Sequence, residues 1–264
     1  FATANRDEPD LRETLYQAPF RAGTLEPNLT TPPVLADESQ SGFRLFNNLD
    51  DETIDAAFNW STFSSTGSRP TQYKFGVSYV DRSRDFQSRR FRYIPIVVNK
   101  DGVPPINLTQ APEVLYQSAN IGEFFRFNEE TRPVDAYAGE QTTTSGYGMV
   151  DMTLSRRSRL VAGARVERFN QAVHTFEPFG LFVRTVTAEN KDTDVFPGIN
   201  YVYSLRPDMN LRLGYSTTVN RPEFRELAAF EFTDVVGSRA VRGNPELERA
   251  LIQNVNARWE IFTG

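Results

Sequence analysis

The stretch "MNLRLGYSTTVNRP" at 209–222 decides the fold. Met209, Leu211, Leu213, Tyr215 and Val219 fall on one side of a period-two alternation, while Asn210, Arg212, Gly214, Ser216 and Thr218 fall on the other. That pattern is a strand with one dry and one wet face. The dry face must meet either a protein core or hydrocarbon, and the rest of the chain discriminates between them.

The alternation recurs along the whole sequence. In 53–63, Ile54, Ala56, Phe58 and Trp60 share a face; in 72–82, Tyr73, Phe75, Val77 and Tyr79 oppose Gln72, Lys74, Gly76 and Ser78. The same holds for Val150, Met152 and Leu154 in 146–154, and for Leu160, Ala162, Ala164 and Val166 in 159–167. It returns for Val195, Ile199, Tyr201, Tyr203 and Leu205 in 195–205, and for Leu251, Val255, Ala257, Trp259 and Ile261 in 251–261. With 209–219 this predicts seven strands, and no stretch shows a helical period. The fold class is all-β and antiparallel.

The connections choose among antiparallel folds. In order, "SSTGSRPT" is short, 93–134 long, "SRRS" short, 176–190 long, "RPDM" short and 220–247 long. Short turns at one end and long loops at the other suit an up-and-down transmembrane β-barrel. A soluble β-sandwich or adhesin-like binding module has no reason to sort its links this way. The dry faces carry no Lys, Arg, Asp or Glu in their central parts, and they use Ala56, Ala162, Ala164 and Ala257 where a packed core would favour interlocking side chains. Trp60, Trp259, Tyr73 and Tyr203 stand near the short-turn end, where an interfacial aromatic girdle lies. In a sandwich they would be core rings.

Composition removes other classes. No apolar run approaches the roughly 20 residues of a membrane helix; "IPIVV" at 94–98 is broken by Pro95. Without cysteine there is neither disulfide nor thiolate chemistry, and a net charge of -5 argues against nucleic acid as a partner. The chain begins at Phe1 and ends on "EIFTG", which reads as a piece of a longer protein.

Five stretches carry a resemblance. "NRPEFRELAAFEF" at 220–232, followed by "GNPELERALIQNVNARWE" at 243–260, is similar to the late-barrel region of TonB-dependent outer-membrane receptors. "RLVAGARVERF" and "DMNLRLGYSTTVNRPEF" resemble the preceding strands, and "RDEPDLRETLY" at 6–16 matches more weakly. Ala229 stands where that family often has proline, and Glu248-Arg249 where it often has Lys-Pro. The resemblance implies that residues 1–264 are part of a barrel of about twenty-two strands. It further implies residence in the outer membrane against its lipid, energy coupling to the TonB system through a plug domain absent from this chain, and uptake of a siderophore, cofactor or glycan. Seven strands, or eight with the opening "FATAN", cannot close such a ring. The expected form is a curved open sheet with Arg212 and Glu167 on its concave side and Leu213 and Tyr201 on its convex side.

Catalytic signatures are missing, and the chain reads as a non-enzyme with no cofactor and no metal centre of its own. His174 is the single histidine and no G-x-S-x-G occurs; "GYGMVD" at 146–151 lacks the third glycine of a dinucleotide loop. The sequons at Asn28, Asn59 and Asn107 read as chance matches. The loop at 99–133 mixes aromatics with carboxylates but names no ligand. The candidate ligand or loop residues are Arg221, Glu223, Arg225 and Glu226, placed where Pro222 ends strand pairing. They can pair with a ligand or form a self-satisfied ion-pair network that fixes the loop.

Overall fold

The computed structural model describes residues 1–36, 41–64, 69–96, 106–132, 135–176, 185–229, 231–232 and 241–262. Eight strands form one antiparallel meander: β1 (Ala2–Glu13), β2 (Phe43–Ser64), β3 (Thr71–Pro95), β4 (Ala136–Ser155), β5 (Ser158–Phe176), β6 (Thr185–Arg206), β7 (Met209–Asn220) and β8 (Ala250–Ile261). Each pairs only with its sequence neighbours among these, so β1 and β8 are the two free edges. A short strand, Phe125–Glu129, adds to the outer end of β3. The other two sheets among the described residues pair only two residues with two, so no second sheet faces the first as a sandwich requires.

The register supplies the barrel geometry. One hydrogen-bonded row runs Ser64, Thr71, Met152, Leu160, Tyr201, Leu213, Ala257. It meets β2 and β3 at their turn ends, β4 and β5 three and two residues above theirs, and β6 and β7 five and four above. Each hairpin therefore steps by about two residues, roughly 7 Å, over two strand spacings of roughly 9.6 Å, which is a tilt of about 40°. That is the tilt of a membrane barrel.

Tilt converts residue counts into height. The first charges on the dry face of β3 and β5 are Asp81 and Arg168, each ten residues from the strand's turn end at Thr71 or Ser158. Ten residues along a strand tilted by about 40° rise by roughly 25 Å, the height of the apolar band on an outer-membrane barrel. Within that band the dry-face side chains face outward and open: Val77 is 60% exposed, Leu213 45% and Val255 79%. Trp60, Tyr73, Tyr203 and Trp259 all lie two to four residues from their strand's end on the short-turn side, which places them as a girdle at one rim.

The strands run well past their sequence-predicted ends. β3, expected over 72–82, continues to Pro95, and β2, expected from 53, begins at Phe43. Above the band neither face must be apolar, so the periodic signal stops while the hydrogen-bond ladder continues. β1 pairs with β2 from Ala2↔Thr53 onward and completes the eighth strand. The 176–190 link shortens to 177–184, outside the described residues, as are 65–68 of "SSTGSRPT", Val97 and Val98 of "IPIVV", and 99–105 and 133 of the 99–133 loop. Two helices of four residues, α1 (Pro112–Leu115) and α2 (Phe224–Leu227), depart from the expectation of no helix; four residues are too few to print a period.

Inside the wall, Tyr147 lies over Gly76 and donates from its hydroxyl to Asn59 Oδ1 at 2.9 Å. A Cβ at Gly76 would come within 2.3 Å of that ring. Asn28 and Asn107 each accept from the backbone N–H and hydroxyl of the threonine two residues on. The N-x-T pattern at these sites is thus turn chemistry. Above the band, one apolar cluster (Leu35, Leu115, Phe125 with Tyr93 and Tyr116) gathers the 14–36 and 106–125 segments on the Tyr93 face of β3. A second cluster fills the opposite, concave face at the mouth.

Leu213→Arg should destabilise the intact barrel by roughly 2 to 4 kcal/mol, whereas Ser216→Arg on the concave face should cost little. Reversible folding into liposomes measures both, and equal tolerance would contradict a lipid-facing Leu213.

Candidate functional site

Everything at the concave mouth is organised by the segment leaving β7. Pro222 lacks an N–H and cannot continue the ladder, and its carbonyl instead accepts from Gln171 Nε2 at 3.0 Å. Glu223 then caps α2 through a capping box: its backbone N–H donates to Glu226 Oε2 at 2.9 Å, and its own carboxylate accepts from the Glu226 backbone. One helical turn carries Phe224 and Leu227 inward, both fully buried against Tyr137, Val173 and Ala188.

Phe224 has a specific seat. Its ring rests on Gly139 of β4, where a Cβ would stand 2.7 Å from the ring. The guanidinium carbons of Arg82 and Arg84 lie 5.3 and 5.7 Å from the ring centroid. Those two arginines share Asp51: Arg82 donates from Nε and Nη2 at 3.1 and 2.9 Å, and Arg84 from Nε at 2.6 Å and also from Nη2. Burial alone would raise the Asp51 carboxyl, but the hydrogen bonds from Arg82 and Arg84 outweigh it and hold the group below the usual carboxylate range.

Beside this seat runs a line of alternating charge. Arg221 donates to Glu167 at 2.5 Å and to Asp194 at 3.1 Å, with its guanidinium 4.2 Å above the Phe169 ring. Glu167 also pairs with Arg165 at 2.7 Å, and Asp194 accepts from Arg249 Nε at 3.0 Å. Arg249 in turn pairs with Asp192. The order Arg165, Glu167, Arg221, Asp194, Arg249, Asp192 holds three cations and three anions. Glu167, Asp194 and Arg221 are buried or nearly so, with side chains 8%, 5% and 14% exposed.

The chain's return is equally fixed. Gly243 passes so close to the end of α2 that a Cβ would lie 2.1 Å from the Ala228 carbonyl oxygen and 2.8 Å from that of Glu226. Asn244 N–H caps the Glu226 carbonyl at 2.6 Å, and Asn190 Nδ2 donates to the Leu247 carbonyl at 3.4 Å. Thus "GNPEL" is the outer half of the same knot.

The four sequence candidates go to different places. Arg221 turns into the wall; Glu223 divides between the α2 cap and Arg82, whose Nη1 is 3.5 Å away; Arg225 and Glu226 lie on the exposed side of α2. The main partners of Arg221 lie outside the cluster. Sequence reading missed Glu167, Asp194 and Asp51 as pairing groups, because their partners are 27 to 54 residues away or on another strand. It also missed Gly139, which precedes the recognised alternation. Arg249 carried a signal, since it is one of the departures from the family pattern. His174 is exposed, with Nδ1 3.1 Å from the Thr187 hydroxyl.

A second hollow of about 320 Å³ lies beside β3 and is lined by Gln87, Ser88, Arg89, Thr131, Arg132, Asp135 and Ala136. Buried Asp135 is held there by Arg132 at 3.0 Å and Arg90 at 3.6 Å. Among the described residues no group of three or more His, Asp or Glu is placed to hold a metal ion. The contacts at the mouth hold its shape.

The family model described as "TonB dependent receptor-like, beta-barrel" matches residues 3–264. No curated protein sequence matches. Among solved structures, the ferric-catecholate import receptor Fiu from E. coli K12, in its closed form, aligns over 83% of this chain and 36% of its own, with 10% identity and a TM-score of 0.36. This chain therefore spans about a third of that receptor's length.

Asp194→Asn, which leaves three cations against two anions in the line, should cost about 3 kcal/mol, and an Arg221/Asp194 double-mutant cycle should show coupling above about 0.5 kcal/mol. Glu223→Gln, at a carboxylate 65% exposed, should cost no more than about 1 kcal/mol. Urea unfolding of the liposome-folded barrel reads all three. The stabilisation from Asp51 should also depend on pH. Its folded pKa is depressed, so the difference between wild type and Asp51→Asn should stay constant from neutral pH to about 4, then vanish as pH falls through the folded value.

Proposed function

The chain belongs to the TonB-dependent receptor-like β-barrel family, and on that premise we propose that it forms one arc, residues 1–264, of an outer-membrane receptor barrel for energy-coupled uptake. The cargo class is a siderophore, cofactor or glycan. The observation that carries this reading is the uncharged convex band, roughly 25 Å tall, set against a concave face rich in charge. Such a wall needs hydrocarbon outside and water within.

The TonB system is the proposed partner, engaged through a plug domain outside this chain. Glu223, Arg225 and Glu226 are the proposed cargo-facing residues, because they are exposed on the solvent side of α2 at the mouth, whereas Arg221 turns into the wall. The arc supplies binding surface and passage.

Expression of the intact parent protein in a Gram-negative host tests this reading. The protein should fractionate with the outer membrane, and uptake of at least one probe from a panel of ferric hydroxamate, ferric catecholate, cobalamin and maltooligosaccharide should cease when a protonophore collapses the proton-motive force. Recovery in the soluble fraction, or uptake indifferent to the protonophore, would contradict it.

A further inference from the structure

Among the strands that stand clear of the lipid are the four that line the mouth. β3 runs to Pro95, β4 starts at Ala136, β5 ends at Phe176 and β6 starts at Thr185, all far beyond the tenth residue from their turn ends where the apolar band stops. Hydrocarbon cannot hold the curvature of these outer halves. The segment 221–229 touches all four on their concave side: β3 through Arg82 and Arg84, β4 through Gly139 and Tyr137, β5 through Glu167, Phe169, Gln171 and Val173, and β6 through Asp194 and Ala188.

The distances make it a chord. β7, where the segment is rooted, and β3 are four strand spacings apart, roughly 19 Å along the sheet. Asn220 to Glu223 spans at most about 10 Å of chain, yet Glu223 reaches Arg82. The Glu223 and Arg82 side chains cover the rest of the span across the concave face. Both feet of the connection are tied to one group, because Arg221 at its start and Arg249 at its end pair with the same carboxylate, Asp194.

We propose that 221–229, backed by Gly243 and Asn244, is a permanent internal brace that sets the curvature of the outer halves of β3 to β6. It does not swing away during uptake. Removing it would leave Glu167 and Asp194 without Arg221 and would strip Phe224, Leu227 and Ala228 of their buried contacts. The inference rests on the barrel fold alone and stands whatever the cargo is.

Hydrogen exchange on the intact receptor in detergent tests it, with two variants that part the Phe224 ring from its seat on Gly139 from opposite sides. Phe224→Ala removes the ring, and Gly139→Leu fills its seat. In the wild type the amides of Leu227, Ala228 and Asn244 should exchange as slowly as those of β5. In both variants, segments 136–143, 168–176 and 185–194 should together exchange faster by about tenfold or more, while the band segments 160–166 and 209–219 stay unchanged. Three results would overturn the brace: free exchange of 224–228 in the wild type, loss of protection confined to 221–229 in the variants, or loss spread through the band in both.

Discussion

One face of this sheet must satisfy hydrocarbon and the other water, and almost every feature follows from that division. Hydrocarbon forbids charge on the convex side up to the level of Asp81 and Arg168. It also forbids unpaired backbone, which is why the strands form an unbroken meander with a uniform stagger. Small convex residues such as Gly148 and Ala164 are acceptable because lipid chains need no interlocking partner. On the concave side the same strands carry Lys74, Arg165, Glu167 and Arg212, groups that water can solvate and neighbouring strands can pair.

Where the lipid stops, a different device takes over. The outer halves of the long strands keep their hydrogen bonds, but their shape depends on side-chain contacts across the concave face. Arg221, gripped by Glu167 and Asp194 over the Phe169 ring, is the hub. Its position fixes where α2 begins, and α2 delivers Phe224 to Gly139. A buried charge line of this kind is a poor source of net stability compared with an apolar core, but losing one member is costly. That asymmetry suits a part that must hold one geometry.

The sequence showed the band clearly and the rest dimly. Alternation located all seven band strands because each must present a dry face there. It failed for 43–52, 83–95 and 136–145, where both faces are polar or mixed. β1 was visible only as "FATAN", since its pairing with β2 lies mostly among polar residues such as Asn5 and Asp50. At the mouth, "RPEFREL" and "GNPEL" were recognisable, but which carboxylate meets Arg221 depends on strand register, and register is a property of the whole sheet. The capping box was legible in principle, because Glu223 and Glu226 have the right spacing. Pro222 and the charges around it drew attention first.

The account stands on the claim that the dry face of 209–219 touches lipid. The stretch holds no cysteine, so nitroxide labels can be placed singly from 210 to 216 in the intact receptor in bilayers, and their collision rates with oxygen and with a polar nickel chelate measured by electron paramagnetic resonance. Oxygen collisions should peak at 211, 213 and 215 and chelate collisions at 210, 212 and 216, in opposite phase. Low collision rates with both reagents at 211, 213 and 215 would mean that these side chains are buried in a protein core, and would contradict the barrel.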